Sequence, residues 1–136
     1  MPVSTDDYVA VADHLARYCW KVDTGDVEGW VELWAEDGVF RGTGPDDIVG
    51  REALRVVPIS VKKRCGDKMA HFAGNLYCDY GETIDTITAH FYNYVTTWMN
   101  GAPGKPSVLA RSVATLVRNG GGWLIKMNHV DMLTGA

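Results

Sequence analysis

The sequence predicts an α+β fold, with helices packed on one face of a curved antiparallel sheet. Two observations carry this. In the first part of the chain apolar residues recur at spacings of three and four, whereas from Lys68 onward they alternate with a period of two. The alternating stretches are separated by turn residues, as in a meander of long strands. Helices first and strands afterwards argue for segregated layers rather than alternating βαβ units. With 136 residues, 46% apolar and 22% charged, residues 1–136 form one domain, large enough to bury a core without disulfides or a metal.

Tyr8, Val11, Ala12, Leu15, Cys19 and Val22 place a helix over residues 5–23. Ser4 with Asp7 three residues on resembles a capping box, and Gly25 suits the left-handed position that ends the helix. Asp26 caps a second helix over 27–35, with Trp30, Leu33 and Trp34 on one face. Asp37-Gly38 turns the chain into a short strand, 39–41. After a Gly/Pro/Asp-rich loop, residues 51–57 read as a third helix stopped by Pro58, and 60–68 as a surface loop. Strands are expected near 69–80, 84–99, 107–118 and 123–132, and Gly120-Gly121-Gly122 belongs to a hairpin.

The strand over 84–99 has two dissimilar faces. Thr86, Thr88, His90, Tyr92, Tyr94, Thr96 and Trp98 form a polar-aromatic face, which suits the lining of a ligand cavity. Ile87, Ala89, Phe91, Asn93, Val95, Thr97 and Met99 form a more aliphatic one, suited to a partner subunit. The pattern therefore predicts a pocket on the first face and a dimer through the second.

Composition excludes several function classes. Lys and Arg number 13 against 17 Asp and Glu, a net charge of −4 with no basic patch, which argues against nucleic acid as a partner. No apolar run has the length of a membrane span, and acidic residues near the N-terminus oppose a secretory signal. A cytoplasmic location is expected. Cys19, Cys65 and Cys78 lack CxxC spacing and read as reduced thiols, and the four histidines lack HxH or HxxxH spacing, so neither a metal site nor any other cofactor is expected. No GxSxG, phosphate-binding loop or dinucleotide fingerprint is present.

Three residues could carry chemistry. Asp23 lies on the apolar stripe of the first helix, at the C-terminal end where the macrodipole disfavours a carboxylate unless a donor or cation meets it. It reads equally as a turn aspartate. His71 sits among apolar neighbours at a strand start, as a hydrogen-bonded core residue or as a base whose second nitrogen Asp23 would orient. Tyr18 could donate to a developing oxyanion, or fill the core. His14 falls off the apolar stripe and is expected to be exposed. His129 and Asp131 share a strand face as lining, interface or rim. Arg111 with Asp131 could serve an epoxide hydrolase, which needs an Arg between two Asp, though their spacing gives that no support.

The run Tyr18…Asp23-Thr-Gly-Asp26…Trp30…Leu33-Trp34…Asp37-Gly38-Val39-Phe40, with Gly50-Arg-Glu-Ala-Leu54, His71-Phe-Ala-Gly-Asn75 and Gly122-Trp123, resembles the SnoaL-like branch of the nuclear-transport-factor-2-like superfamily over nearly the whole chain. The resemblance implies a cone: a mostly antiparallel sheet wrapped round three N-terminal helices, with a deep pocket and a homodimer, or a homotrimer, through the outer sheet face. Scytalone dehydratase, bile-acid 7α-dehydratase and hexachlorocyclohexane dehydrochlorinase pair a first-helix Asp with a His at the strand start, where Asp23 and His71 stand. A Tyr precedes the Asp in the bile-acid enzyme, as Tyr18 does here. The second histidine of scytalone dehydratase falls near Thr96 and is absent unless His90 substitutes, and Asn128, His129 or Met132 falls where some members carry a basic residue.

These readings together imply a cofactor-free dehydratase acting on a hydrophobic cyclic or polycyclic β-hydroxy carbonyl. His71, Asp23 and Tyr18 would be catalytic, and His90, Tyr92, Tyr94, Trp34, Phe40 and Asn128 would bind substrate. An isomerase or cyclase using the same enolate is the alternative. So is a non-catalytic binding subunit, such as the small subunit of a ring-hydroxylating dioxygenase.

Overall fold

The computed structural model describes residues 1–134. Helix α1 (Thr5–Thr24) is capped by Ser4, whose Oγ accepts from the Asp7 N–H at 3.2 Å. Only half of the capping box forms. The Asp7 carboxylate turns to the Tyr80 hydroxyl and Arg118, while the Ser4 N–H donates to Tyr80. Gly25 ends α1 with φ 74°, where only glycine is free of Cβ strain. Asp26 accepts from the Gly29 N–H at 2.9 Å to start α2 (Val27–Val31).

The second helix is shorter than its apolar pattern predicts. Trp34 leaves it to open strand β1 (Trp34–Arg41), because Trp34 pairs with Ile125 and the Leu33 carbonyl accepts from the Ile125 N–H at 2.9 Å. Tertiary pairing overrides helical propensity here. The Asp37-Gly38 turn is an irregularity within β1, where its register on the last strand shifts between Trp34 and Val39. The Arg51 guanidinium donates to the Trp34 carbonyl at 2.6 and 2.9 Å.

A two-residue strand β2 (Ile48–Val49), which the sequence does not signal, precedes α3 (Arg51–Leu54). The expected stop at Pro58 does not occur. Pro58 is the third residue of α4 (Val56–Cys65), in a first turn whose N–H groups have no intrahelical acceptor in any case. Residues 60–65 are therefore helix, not surface loop, and four helical segments replace the three expected.

Strands β3 (Met69–Tyr80), β4 (Thr86–Thr97), β5 (Lys105–Asn119) and β6 (Gly122–Thr134) follow as the meander predicted. The sheet order is β2-β1-β6-β5-β4-β3, antiparallel except for β1 beside β6. Asn75 (φ 52°) marks a bulge in β3, and β5–β6 shifts register twice. Such bulges bend strands and increase twist, which curves the sheet over α1. Gly42 makes a close approach possible: a Cβ there would lie 1.8 Å from the Val130 carbonyl oxygen.

The two faces of β4 are the reverse of the expectation. Ile87, Ala89, Phe91 and Val95 are buried on the concave face with Val11, Leu15, Trp30, Leu54, Leu116 and Ile125. Aliphatic burial releases free energy in proportion to area, so this face takes the helices. His90, Tyr92 and Tyr94 look outward and pack on side chains of the neighbouring strands. His90 stacks on Tyr77 with centroids 4.3 Å apart, Arg111 lies 5.9 Å over Tyr92, and Phe72 meets Tyr94 at 6.1 Å.

His14 is also not exposed as expected: it is half-buried, and its Nε2–H donates to the Leu33 carbonyl at 2.9 Å. Burial lowers its pKa from the ordinary 6.5, opposed in part by that hydrogen bond. A depressed histidine pKa favours the neutral fold, so the contribution is intact above pH 6.5 and is lost as pH falls through the folded value. The melting temperature of the protein is expected to fall more steeply below that pH than that of His14→Gln, measured by a thermal denaturation series. Parallel curves would remove His14 as the titrating group.

Candidate active site

Strand β3 is the sheet's edge, and α1 runs along it. The Asp23 carboxylate accepts twice from His71: from the backbone N–H at 2.9 Å and from ring Nδ1 at 2.6 Å. Cys19, one turn earlier, receives the Ala73 N–H. Helix spacing of four and strand spacing of two thus coincide, and alternate free N–H groups of β3 meet α1 side chains one turn apart. The side chains of Asp23 and His71 are only 17% and 9% exposed, so water competes weakly for this contact. An Nδ1–H donor to the carboxylate leaves Nε2 with its lone pair, and Nε2 has no partner among the described residues.

His71 lines a half-open cavity of about 90 Å³, walled by Tyr18, Val22, Phe40, Val61, Val95 and Val130 among others. Tyr18 is fully buried, and Asn128 Nδ2 donates to its hydroxyl at 3.3 Å. With the amide so placed, the phenol accepts from Asn128 and its own proton is free for an acceptor in the cavity. Burial raises the Tyr18 pKa well above the usual phenol range, so it remains a donor. Burial, and then the Asp23 charge, likewise raise the Cys19 thiol to about 12, against the lowering effect of the Ala73 N–H, so it is a poor nucleophile.

Of the residues singled out in the sequence, Tyr18, His71 and Phe40 face this cavity, with Asp23 behind His71 and Asn128 behind Tyr18. Trp34 is fully buried, packed against Trp30 at 5.3 Å and Phe40 at 6.1 Å, and supports the wall without lining it. His90, Tyr92 and Tyr94 lie on the convex face. So do Arg111, His129 and Asp131, which share its register, and this takes the epoxide-hydrolase pair out of the cavity.

Asn93 and Arg64 are among the lining residues that escape the sequence reading. Asn93 interrupts the aliphatic face of β4, and its buried Oδ1 has no partner. A polar residue in an apolar period-two register is the available signal. Arg64 reaches the cavity from α4, where Val57, Val61 and Arg64 fall on one helical face. That spacing is hidden when Pro58 is read as a stop.

A wider groove of about 500 Å³ lies outside α1, between Trp20, Phe72 and Trp98, with Asp23 and His71 at its floor. Both depressions therefore share His71. Among the described residues no group of three His, Cys, Asp or Glu side chains is arranged to hold a metal. No helix among them is long and apolar enough to cross a membrane.

Replacing Asp23 by Ala leaves the His71 N–H and ring unmet, which is expected to cost about 1–3 kcal/mol in urea unfolding. Long-range ¹H–¹⁵N spectra are expected to show the Nδ1–H tautomer of His71 in the wild type and its loss in the variant. An Nε2–H tautomer in the wild type would contradict the assignment.

The sequence profile described as SnoaL-like domain matches residues 3–128. Among curated proteins none matches the sequence. Solved structures do. An NTF2-like protein with a cystatin-like fold from Novosphingobium aromaticivorans is 26% identical with a TM-score of 0.82, over 96% of this chain and 84% of that one. A protein from Catenulispora acidiphila in complex with S-DNPA is 26% identical with a TM-score of 0.81, over 95% of each chain. Aln2 from a Streptomyces species is similar in fold, with a TM-score of 0.89 at 20% identity over 97% of this chain and 94% of that one. With the profile spanning nearly its whole length and an NTF2-like fold built on the same plan, this chain belongs to the SnoaL-like domain family.

Proposed function

We propose that this protein is a cofactor-independent lyase, a dehydratase that removes the proton α to a carbonyl and expels a β-hydroxyl. The observation that carries the reading is the free Nε2 of a cavity-lining histidine whose Nδ1 is held by a partly buried carboxylate. His71 Nε2 takes the α-proton. Asp23 fixes the ring and stabilises the imidazolium as it forms. Tyr18 donates to the enolate oxygen, and a dry apolar wall strengthens that hydrogen bond. The proton on His71 then passes to the departing hydroxyl, which leaves as water.

At about 90 Å³ the cavity is smaller than the 300–1,000 Å³ usual for ligand sites, so the substrate is compact, of the order of one ring. A polycyclic substrate requires α4 to move. Isomerisation and cyclisation pass through the same enolate and differ only in its next step, so product analysis separates them. The protein is taken to be cytoplasmic.

Screening cyclic β-hydroxy ketones by the absorbance of the enone product is the direct test. His71→Gln is expected to lower kcat by about 10²–10⁴-fold, and Tyr18→Phe by about 10²–10³-fold, with folding retained. Full turnover in His71→Gln would remove His71 as the base, and no turnover of any β-hydroxy ketone by the wild type would end the lyase reading and favour the binding-subunit alternative.

The convex face supports a homodimer, because Phe72, Tyr77, Tyr92 and Val113 leave apolar surface exposed there. Sedimentation is expected to give twice the chain mass, and Tyr92→Asp with Val113→Asp to give monomer. A wild-type monomer at high concentration would refute this.

A further inference from the structure

Five of the seven arginines have a carboxylate or carbonyl partner among the described residues. Arg17, Arg41, Arg55 and Arg118 pair with carboxylates, Arg51 holds the Trp34 carbonyl, and Arg111 lies over Tyr92. Arg64 has neither a carboxylate nor a carbonyl partner among the described residues, yet it lines the cavity that His71 also lines. It is exposed at the rim, on the helical face that places Val57 and Val61 over the cavity. The remaining lining is apolar or neutral apart from His71, and no carboxylate belongs to it. The Asp23 carboxylate, behind His71, is already engaged by two His71 donors.

A guanidinium presents a planar fork of N–H donors that matches a carboxylate with two parallel hydrogen bonds. Beside an apolar wall this fork meets less competition from water than on an open surface. We infer that the cavity selects an anionic ligand: a small hydrophobic ring bearing a carboxylate that Arg64 grips at the rim. Arg64 is then a specificity residue, and the ring enters carboxylate-outward with its carbonyl end toward Tyr18 and His71. This deepens the lyase reading and rests on it for the role of the inner end, but the anion site has its own readout.

The experiment compares 3-oxocyclohexane-1-carboxylate with its neutral carboxamide by isothermal titration calorimetry. The wild type is expected to bind the carboxylate about tenfold more tightly, as a charge-assisted pair exceeds a neutral one. In Arg64→Gln the two ligands are expected to bind alike, and Arg64→Lys to retain part of the preference. His71→Gln is expected to keep the full preference, since that variant removes the base and not the fork. Equal binding of both ligands by the wild type, preference unchanged in Arg64→Gln, or no measurable binding of the carboxylate would each overturn the inference. Preference retained alongside an absence of turnover would uphold the anion site while removing the lyase reading.

Discussion

Strand β3 has a sheet neighbour on one side only, and the N–H groups on its other side must be met by something else. Helix α1 meets two of them with side chains: Asp23 takes the His71 N–H and Cys19 takes that of Ala73. Further along, the Tyr8 hydroxyl donates to the Leu76 carbonyl, and the Tyr80 N–H donates to the Met1 carbonyl. A bare edge invites pairing with other chains, so covering it protects the fold. The same carboxylate that closes the edge also fixes the ring of His71. Structure and candidate chemistry thus share one group, and its position at the C-terminal end of α1 is tolerable because two donors face it.

The opposite wall follows similar logic. Trp30 and Trp34 pack tightly around Tyr18, at 5.3 and 6.3 Å, and Asn128 holds its hydroxyl from β6. The phenol is thereby aimed before any ligand arrives, and preorganised donors cost no reorganisation at the moment of reaction. Helix α4 completes the enclosure more loosely. Val57 and Val61 face inward, while Val56 and Ile59 remain about half exposed. Among its ten residues only Pro58 is fully buried, which makes this helix the natural place for a ligand to enter.

Much of this is legible in the sequence for identifiable reasons. Ser4, Gly25 and Asp26 mark helix ends by local chemistry, and the period change at Lys68 marks the sheet. Asp23, His71 and Tyr18 stand out as polar groups on apolar registers. What the sequence hides is decided by long-range contact. Trp34 leaves its helix because Ile125 offers it a strand partner, and nothing local to Trp34 encodes that. Pro58 misleads because a proline that stops one helix is also permitted in the first turn of the next. Alternation along β4 shows two faces without saying which the helices take, so His90, Tyr92 and Tyr94 are expected inward and lie outward. Arg64 and Asn93 are hidden by these same two ambiguities.

The most direct test is a crystal structure with a cyclic β-hydroxy ketone analogue whose hydroxyl is replaced by a group that cannot leave. The account predicts the α-carbon within roughly 3–3.5 Å of His71 Nε2 and the carbonyl oxygen on Tyr18, with Asp23 still bonded to Nδ1. A ligand seated instead in the outer groove against Trp20 and Trp98, with Nε2 tied to a protein acceptor, would contradict it.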